Sequence, residues 1–460
     1  MATVTDEPCT KTLSDSAFKA ALQELRRTDN LRNWWYVLRT YAFLAISLGG
    51  AVWFFESRPE LDVSWWWNLP VAFLAIACVG AGQHQLSALA HEGSHYILFR
   101  NRWLNDLASD LLCMFPIFSS IYHYRLQHLA HHQFVNDPDR DPDVSQLQTS
   151  GHWLKFPVAK AQFLMTLALQ VLLPFRLVRF MRIRAKYNAT GTEKNPYMIK
   201  GKKPSKGAIR LGIGYLLTLV VTLVTLFYVA DAVTLAVVPV VMWAVVSTIF
   251  LRMPADRFHQ SRLKPVVPNR WMTTLRLGYM TFIFTTVTVL TKVTGSPIVG
   301  YYALIWLVPI FTSFAFFMIL RQLVQHGNGD RGWITNTRTF LVGQGIRFAV
   351  FPLGQDYHLP HHMYSTIPHY RLKKLHELLM EYPEYRDHAV VVEGYFIPHG
   401  HPPRNPTVLE VLGPLYSTRT DEIHIDNEVM ASGAFDDPSA IAKEVEKAKA
   451  TAAMPWEQKA

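Results

Sequence analysis

The chain runs to 460 residues, of which 50% are hydrophobic and only 17% charged. That balance, with a mean hydropathy of +0.09, speaks against two or three ordinary soluble domains and points to a membrane protein. The net charge of +10 sits on no visible soluble reading module, which argues against nucleic-acid binding. Three cysteines, Cys9, Cys78 and Cys113, are too few and too scattered for a disulfide framework or a thiolate metal site.

The N-terminal stretch "MATVTDEPCTKTLSDSAFKAALQEL" is polar and mildly amphipathic, so no cleavable signal is expected. The first two apolar runs follow, Val37 to Phe55 and Leu69 to Ala90, each near the roughly 20 residues that a helical span requires. Trp34, Trp35, Trp65, Trp66 and Trp67 stand at their ends, where interfacial aromatic anchors belong. Ala159 to Phe175 is broken by Gln162 and Gln170 and followed by "RLVRFMRIRAK", a pattern for a helix lying in the interface. Four more runs complete the set: Leu211 to Ala230, Val233 to Leu251, Leu275 to Thr291 and Tyr301 to Leu320. The runs fall into three closely spaced pairs. The tail from about Ser417 is acidic and alanine-rich, a composition expected to be mobile.

Loop charge gives these runs a direction. Within each pair the connection is short and poor in Lys and Arg, whereas the long connections carry Arg176, Arg179, Arg182, Arg184 and Lys186, then Arg257, Arg262, Lys264 and Arg270. The positive-inside bias therefore places both termini and both long connections in the cytoplasm. The expectation is an all-α protein with four to six transmembrane helices and a cytoplasmic helical cap. Its divisions are an N-terminal cytoplasmic segment (residues 1–36), a membrane-bound domain (37–390) and a partly disordered C-terminal cytoplasmic segment (391–460).

Histidine is concentrated in three places. "HEGSH" holds His91 and His95 directly after the second run, "HLAHH" holds His128, His131 and His132 in the next connection, and "HLPHH" holds His358, His361 and His362 after the last run. Residues at i, i+3 and i+4 share one face of a helix, so each cluster is expected to aim its ring nitrogens at one point. Pro360 suits a first helical turn. Eight clustered imidazoles suggest two metal ions with four or more nitrogens each, and spacing alone leaves iron, copper, nickel and zinc open. The acidic run Asp137, Asp139, Asp141 and Asp143 fails the EF-hand pattern, but is suited to accept the distal N–H of ligand imidazoles. His84 and His259 are expected to be structural, and His123 at most to support the ligands.

The order HxxxH, HxxHH, HxxHH, with a long hydrophobic hairpin before the third box, resembles the membrane-bound fatty acid desaturase and hydroxylase superfamily. The flanking text "YRLQHLAHHQFVNDPDRDPD" and "YHLPHHMYSTIPHYRLKKLHELL" strengthens the resemblance, which runs from about residue 35 to residue 390. It implies a non-haem centre of two iron ions that uses O2 to remove hydrogen from an unactivated C–H bond of a lipid. The implied ligands are His91, His95, His128, His131, His132, His358, His361 and His362. His326 in "RQLVQHGNG" matches a ninth, on the last span ahead of the third box. Gln322, one turn before it, stands where relatives hold a metal-bound water through an amide, and Asp356 stands two residues before the third box in a supporting position.

Fatty acyl desaturation is the activity expected first, with a lipid hydroxylase or carotenoid ketolase-type oxygenase as the alternative. A separate electron donor of ferredoxin, rubredoxin or cytochrome type is implied, because the chain shows no haem context and no cysteine set for an iron–sulfur cluster. The membrane would be a bacterial inner membrane or the endoplasmic reticulum. A histidine-rich metal transporter is a remote alternative, since transporters place ligands near the bilayer midplane on broken helices.

Overall fold

The computed structural model describes residues 11–191, 195–199, 206–398 and 402–416. Six helices are long and apolar enough to cross a membrane: spans one to six are Asn30–Ser57, Trp65–Ser94, Lys206–Val229, Ala232–Arg252, Asn269–Thr294 and Ile298–Gln325. The chain is an all-α, multi-pass membrane protein, as its composition predicts. Its one sheet among the described residues is a parallel pair of three-residue strands, Thr339–Leu341 and Val391–Glu393, in register Thr339 to Val391.

Local chemistry sets the span ends. The side chain of Asp29 accepts from the Arg32 amide at the start of span one, and that of Asp231 accepts from the Thr234 amide at the start of span four. Gly295, at φ +75°, ends span five in the left-handed region that glycine tolerates. Span six is interrupted at Thr312, three residues beyond Pro309, whose ring removes a backbone donor from the helix.

One expectation about the spans is revised. The second helix does not stop with its apolar run at Ala90 but continues to Ser94, so His91 lies on span two itself. Residues 79–94 are all buried, so protein packing rather than lipid holds this Gly-, Gln- and Ser-containing stretch. Adjacency in the chain does not set all of the packing. Spans three, four and five pack on one another around Leu219, Leu235, Phe250 and Leu277, whereas span six leaves its neighbour and packs along span two. Close approach there depends on Gly80: a Cβ at that position would lie 2.0 Å from Ser313 Oγ, which donates to the Ile76 carbonyl at 2.6 Å.

The interfacial candidate is helical over Lys160–Leu172 and turns by 90° into the basic helix beginning at Phe175. A cap of short helices covers one end of the spans: Ile121–Gln133, Pro142–Ser150, His358–Met363 and Leu372–Leu379. Both flanking segments of the expected division join this body. Phe18 and Leu22 of the Ser16–Leu25 helix are buried with Leu375, Leu379 and Tyr382. Val408, Leu409 and Val411 belong to the main apolar core. The tail from Ser417 lies outside the described residues.

Candidate metal centre

The nine candidate histidines come from four helices that converge where the cap meets the spans. His91 is on span two and His95 caps it; His128, His131 and His132 are on the Ile121–Gln133 helix. His326 caps span six, and the third box forms the His358–Met363 helix with Pro360 inside its first turn. Four of the six spans lie between box two and box three in the chain. The meeting of these two boxes brings all three to one end of the bundle.

The nine rings form two groups. His91, His95, His128, His132 and His361 make one, and His131, His326, His358 and His362 make the other, with one ligand-capable atom per residue all within 4.8 Å of one another in each. This overturns the expectation that each box aims at a single point. The i and i+4 members stay together (His128 with His132, His358 with His362), while the i+3 members, His131 and His361, go to the opposite group. Helical geometry explains the split, because i and i+4 differ by about 40° around the axis and i+3 lies about 60° to the other side of i.

Contacts within each group have the spacing of ligand edges. His95 Nε2 lies 2.8 Å from His128 Nε2, which lies 3.1 Å from His132 Nε2, itself 3.1 Å from His361 Nε2. In the second group His131 to His326 is 3.1 Å, His326 to His358 is 2.9 Å and His358 to His362 is 3.1 Å, again between Nε2 atoms. Two nitrogens about 2.1 Å from one ion and at right angles are about 3.0 Å apart. Burial holds His95, His128, His132, His326, His358 and His362 well below the usual imidazole range, and His361 down to about 3. Buried neutral rings that crowd their Nε2 lone pairs together suit a shared cation far better than a chain of hydrogen bonds.

Distal nitrogens are anchored from behind. Asp141 accepts from His131 Nδ1–H at 2.9 Å, the role foreseen for the acidic run. Burial opposes the charged form of His131, but the Asp141 and Asp143 carboxylates outweigh it and raise the ring to about 9. The Asn336 carbonyl accepts from His326 Nδ1–H at 3.0 Å. Asp137 instead pairs with Arg140 and Arg331.

The remaining candidates divide. Gln322 lines the space beside His131, His326 and His358, and its Oε1 has no hydrogen-bond partner among the described residues. Asp356 is engaged elsewhere: Arg347 Nε lies 2.8 Å from its carboxylate, and no hydrogen bond to a box histidine is found among the described residues. His84 is structural, within hydrogen-bond distance of the Ala349 carbonyl at 2.7 Å. His123 and His259 sit together, rings 5.3 Å apart, in the wall of a separate cavity and belong to neither group.

Several supporting residues escape sequence reasoning. Glu92, between the ligands of box one, accepts from the His369 amide at 2.8 Å and from its Nδ1–H at 3.1 Å. Arg125 grips Asp106 with two contacts of 2.5 and 2.9 Å, and also donates to the carbonyls of Gly93 and Ser94, fastening box two to box one. The only sequence signals were an acid inside a histidine box and an arginine just ahead of another.

A cavity of about 400 Å³ lies alongside. It shares Tyr124, Arg184 and Asn188 with the space that His91, His128, His131 and His358 line, and the Tyr124 ring stacks on His128 with centroids 5.3 Å apart. Such a volume falls within the roughly 300–1,000 Å³ of small-molecule sites.

Comparison with known proteins decides the family. The fatty acid desaturase family model matches residues 64–260 and 249–393, most of the chain. The chain belongs to that family. Among its relatives, a dihydrorhizobitoxine desaturase of Bradyrhizobium elkanii is 31% identical over 131 residues, 28% of this chain and 33% of the relative. A Delta(5) fatty acid desaturase, fat-4, of Caenorhabditis elegans is 40% identical over 76 residues, 16% of either chain. The aligned stretches thus span a third or less of these relatives' own length.

Proposed function

We propose that this desaturase-family chain carries out O2-dependent oxidation of an unactivated C–H bond in a lipid, with fatty acyl desaturation as the reaction. The observation that carries the proposal is the convergence of nine buried imidazoles in two groups beside a largely apolar cavity. Two iron ions fit the donor set, one held by His91, His95, His128, His132 and His361 and the other by His131, His326, His358 and His362. When bound, the metal pair supplies the activation of dioxygen that the C–H cleavage requires.

The residues themselves bind, orient and exclude water. The cavity takes the alkyl chain and delivers it past Tyr124 to the histidines, away from bulk solvent. Asp141 holds the His131 proton on Nδ1, so that Nε2 presents its lone pair inward. Gln322 Oε1 is placed to accept a hydrogen bond from a water at the second group. In balance, CH2–CH2, O2, two electrons and two protons give CH=CH and two waters. The electrons come from a separate donor of ferredoxin, rubredoxin or cytochrome type, docking on the face that carries the cap. The basic long connections support a cytoplasmic position for that face, both termini and the boxes.

The test is expression in a host with a suitable donor, followed by mass spectrometry of the lipids. Loss of two mass units is the expected result; a gain of sixteen replaces desaturation by hydroxylation. His131→Ala is expected to abolish the change while leaving the protein in the membrane, and retained activity would remove His131 from the ligand set.

A further inference from the structure

Arg276 lies two turns into span five, and its side chain lines the cavity beside the histidine groups. Much of the surrounding wall is apolar, including Ile209, Ile213, Leu216, Phe250, Met280 and Phe314. Yet the guanidinium makes no ion pair or hydrogen bond among the described residues. Arg125 shows what an arginine in this protein does when a carboxylate is provided: it is held in two-point contact by Asp106. An unpaired cation facing an apolar chamber is costly unless a ligand supplies the counter-charge.

Among the described residues, no carboxylate lines the cavity. Asp110 acts on Arg276 electrostatically, but it does not line the cavity, its Oδ1 accepts from the Ile121 amide at 2.6 Å, and no ion pair joins it to Arg276. Burial pushes its carboxyl up to about 7. His123 and His259 are kept neutral by burial, and the wall's other cations, Arg184 and Arg257, only add positive charge. Arg184 is itself occupied with the Tyr124 ring at 5.9 Å and with Gln146 at 3.5 Å.

We infer that Arg276 binds the carboxylate of the substrate inside the cavity, so that the protein acts on a free acid rather than on a thioester or a glycerolipid. A planar guanidinium fork matches the two oxygens of a carboxylate. Esterification removes that anion and leaves the cation unpaired. The inference deepens the proposed lipid oxidation and rests on it for the identity of the cavity as the substrate site.

Binding tests it independently of turnover. The purified full-length chain is titrated with cis-parinaric acid and with its methyl ester, read as energy transfer from tryptophan to the probe. Wild type is expected to bind the acid at least about tenfold tighter than the ester. Arg276→Gln is expected to reduce acid binding to the ester's level, and Arg276→Lys to keep part of the preference. Equal binding of acid and ester by wild type overturns the inference, as does a preference undiminished in Arg276→Gln, which would move the contact to Arg184 or Arg257. If Arg276→Gln fails to fold, the wild-type ratio and its fall in Arg276→Lys decide. Arg276-dependent acid binding in a chain that oxidises no lipid leaves this inference standing and removes the proposed reaction. Lipid oxidation without acid preference does the reverse.

Discussion

His131 lies on one helix of the cap and Asp141 caps the start of the next, and the carboxylate meets the ring's Nδ1 at 2.9 Å with both side chains buried. Fixing the proton on Nδ1 leaves Nε2 free as a donor atom. Replacement of such a supporting carboxylate is expected to weaken metal affinity or activity by about 10–100-fold. Asp141→Asn, with the fold intact by circular dichroism, is therefore expected to lose metal at lower chelator concentration than wild type. Unchanged chelator resistance would make the carboxylate dispensable.

His326 is the one ligand candidate outside the boxes, and it supplies a quarter of the second group. His326→Ala leaves the five-histidine group untouched. The purified variant is expected to retain about half the iron of wild type, because three remaining imidazoles hold an ion less tightly than four. Elemental analysis reads this directly, and full iron content would exclude His326 from the ligand set.

Arg125 and Asp106 form a fully buried pair that ties two boxes together. Arg125→Leu strands the carboxylate, at a cost of about 3–5 kcal/mol. Thermal unfolding in detergent is expected to fall sharply for Arg125→Leu and to recover in part for the double replacement with Asp106→Leu. No recovery would mean that the carbonyl contacts of Arg125, not its charge, carry the effect.

Asp110 gives stability a pH dependence whose sign follows from burial. Its folded-state pKa of about 7 lies above the ordinary 3.8, so the folded chain holds a proton that the unfolded chain releases earlier. Stability from this group is complete below about pH 4 and declines as pH rises toward 7, by up to roughly 4 kcal/mol. Asp110→Asn is expected to flatten that decline and to melt higher than wild type at pH 7.5, with no difference near pH 4. A variant melting lower than wild type at pH 7.5 would show the carboxylate to be stabilising there.

Much of this could be read along the chain. The six apolar runs each became a span, because length and apolar content are local properties. All nine expected histidines are in the two groups; the eight in the boxes stand out by local clustering, and His326 by its place in the family pattern. Asp356 was misjudged because nearness in sequence to His358 does not say which way a side chain turns, and Arg347 claims it. The packing of span six along span two could not be read from the sequence, because it joins residues far apart in the chain that come close at Gly80.

By itself, then, the sequence determined the membrane class and the eight clustered candidate histidines, which follow from composition and short-range periodicity. Only the tertiary structure decided which imidazole serves which group. His132 meets His361 across 229 positions, and which rings share an ion depends on how separate helices dock. The same holds for Arg276, whose unmet charge becomes visible once the cavity around it is assembled from seven separate stretches of chain.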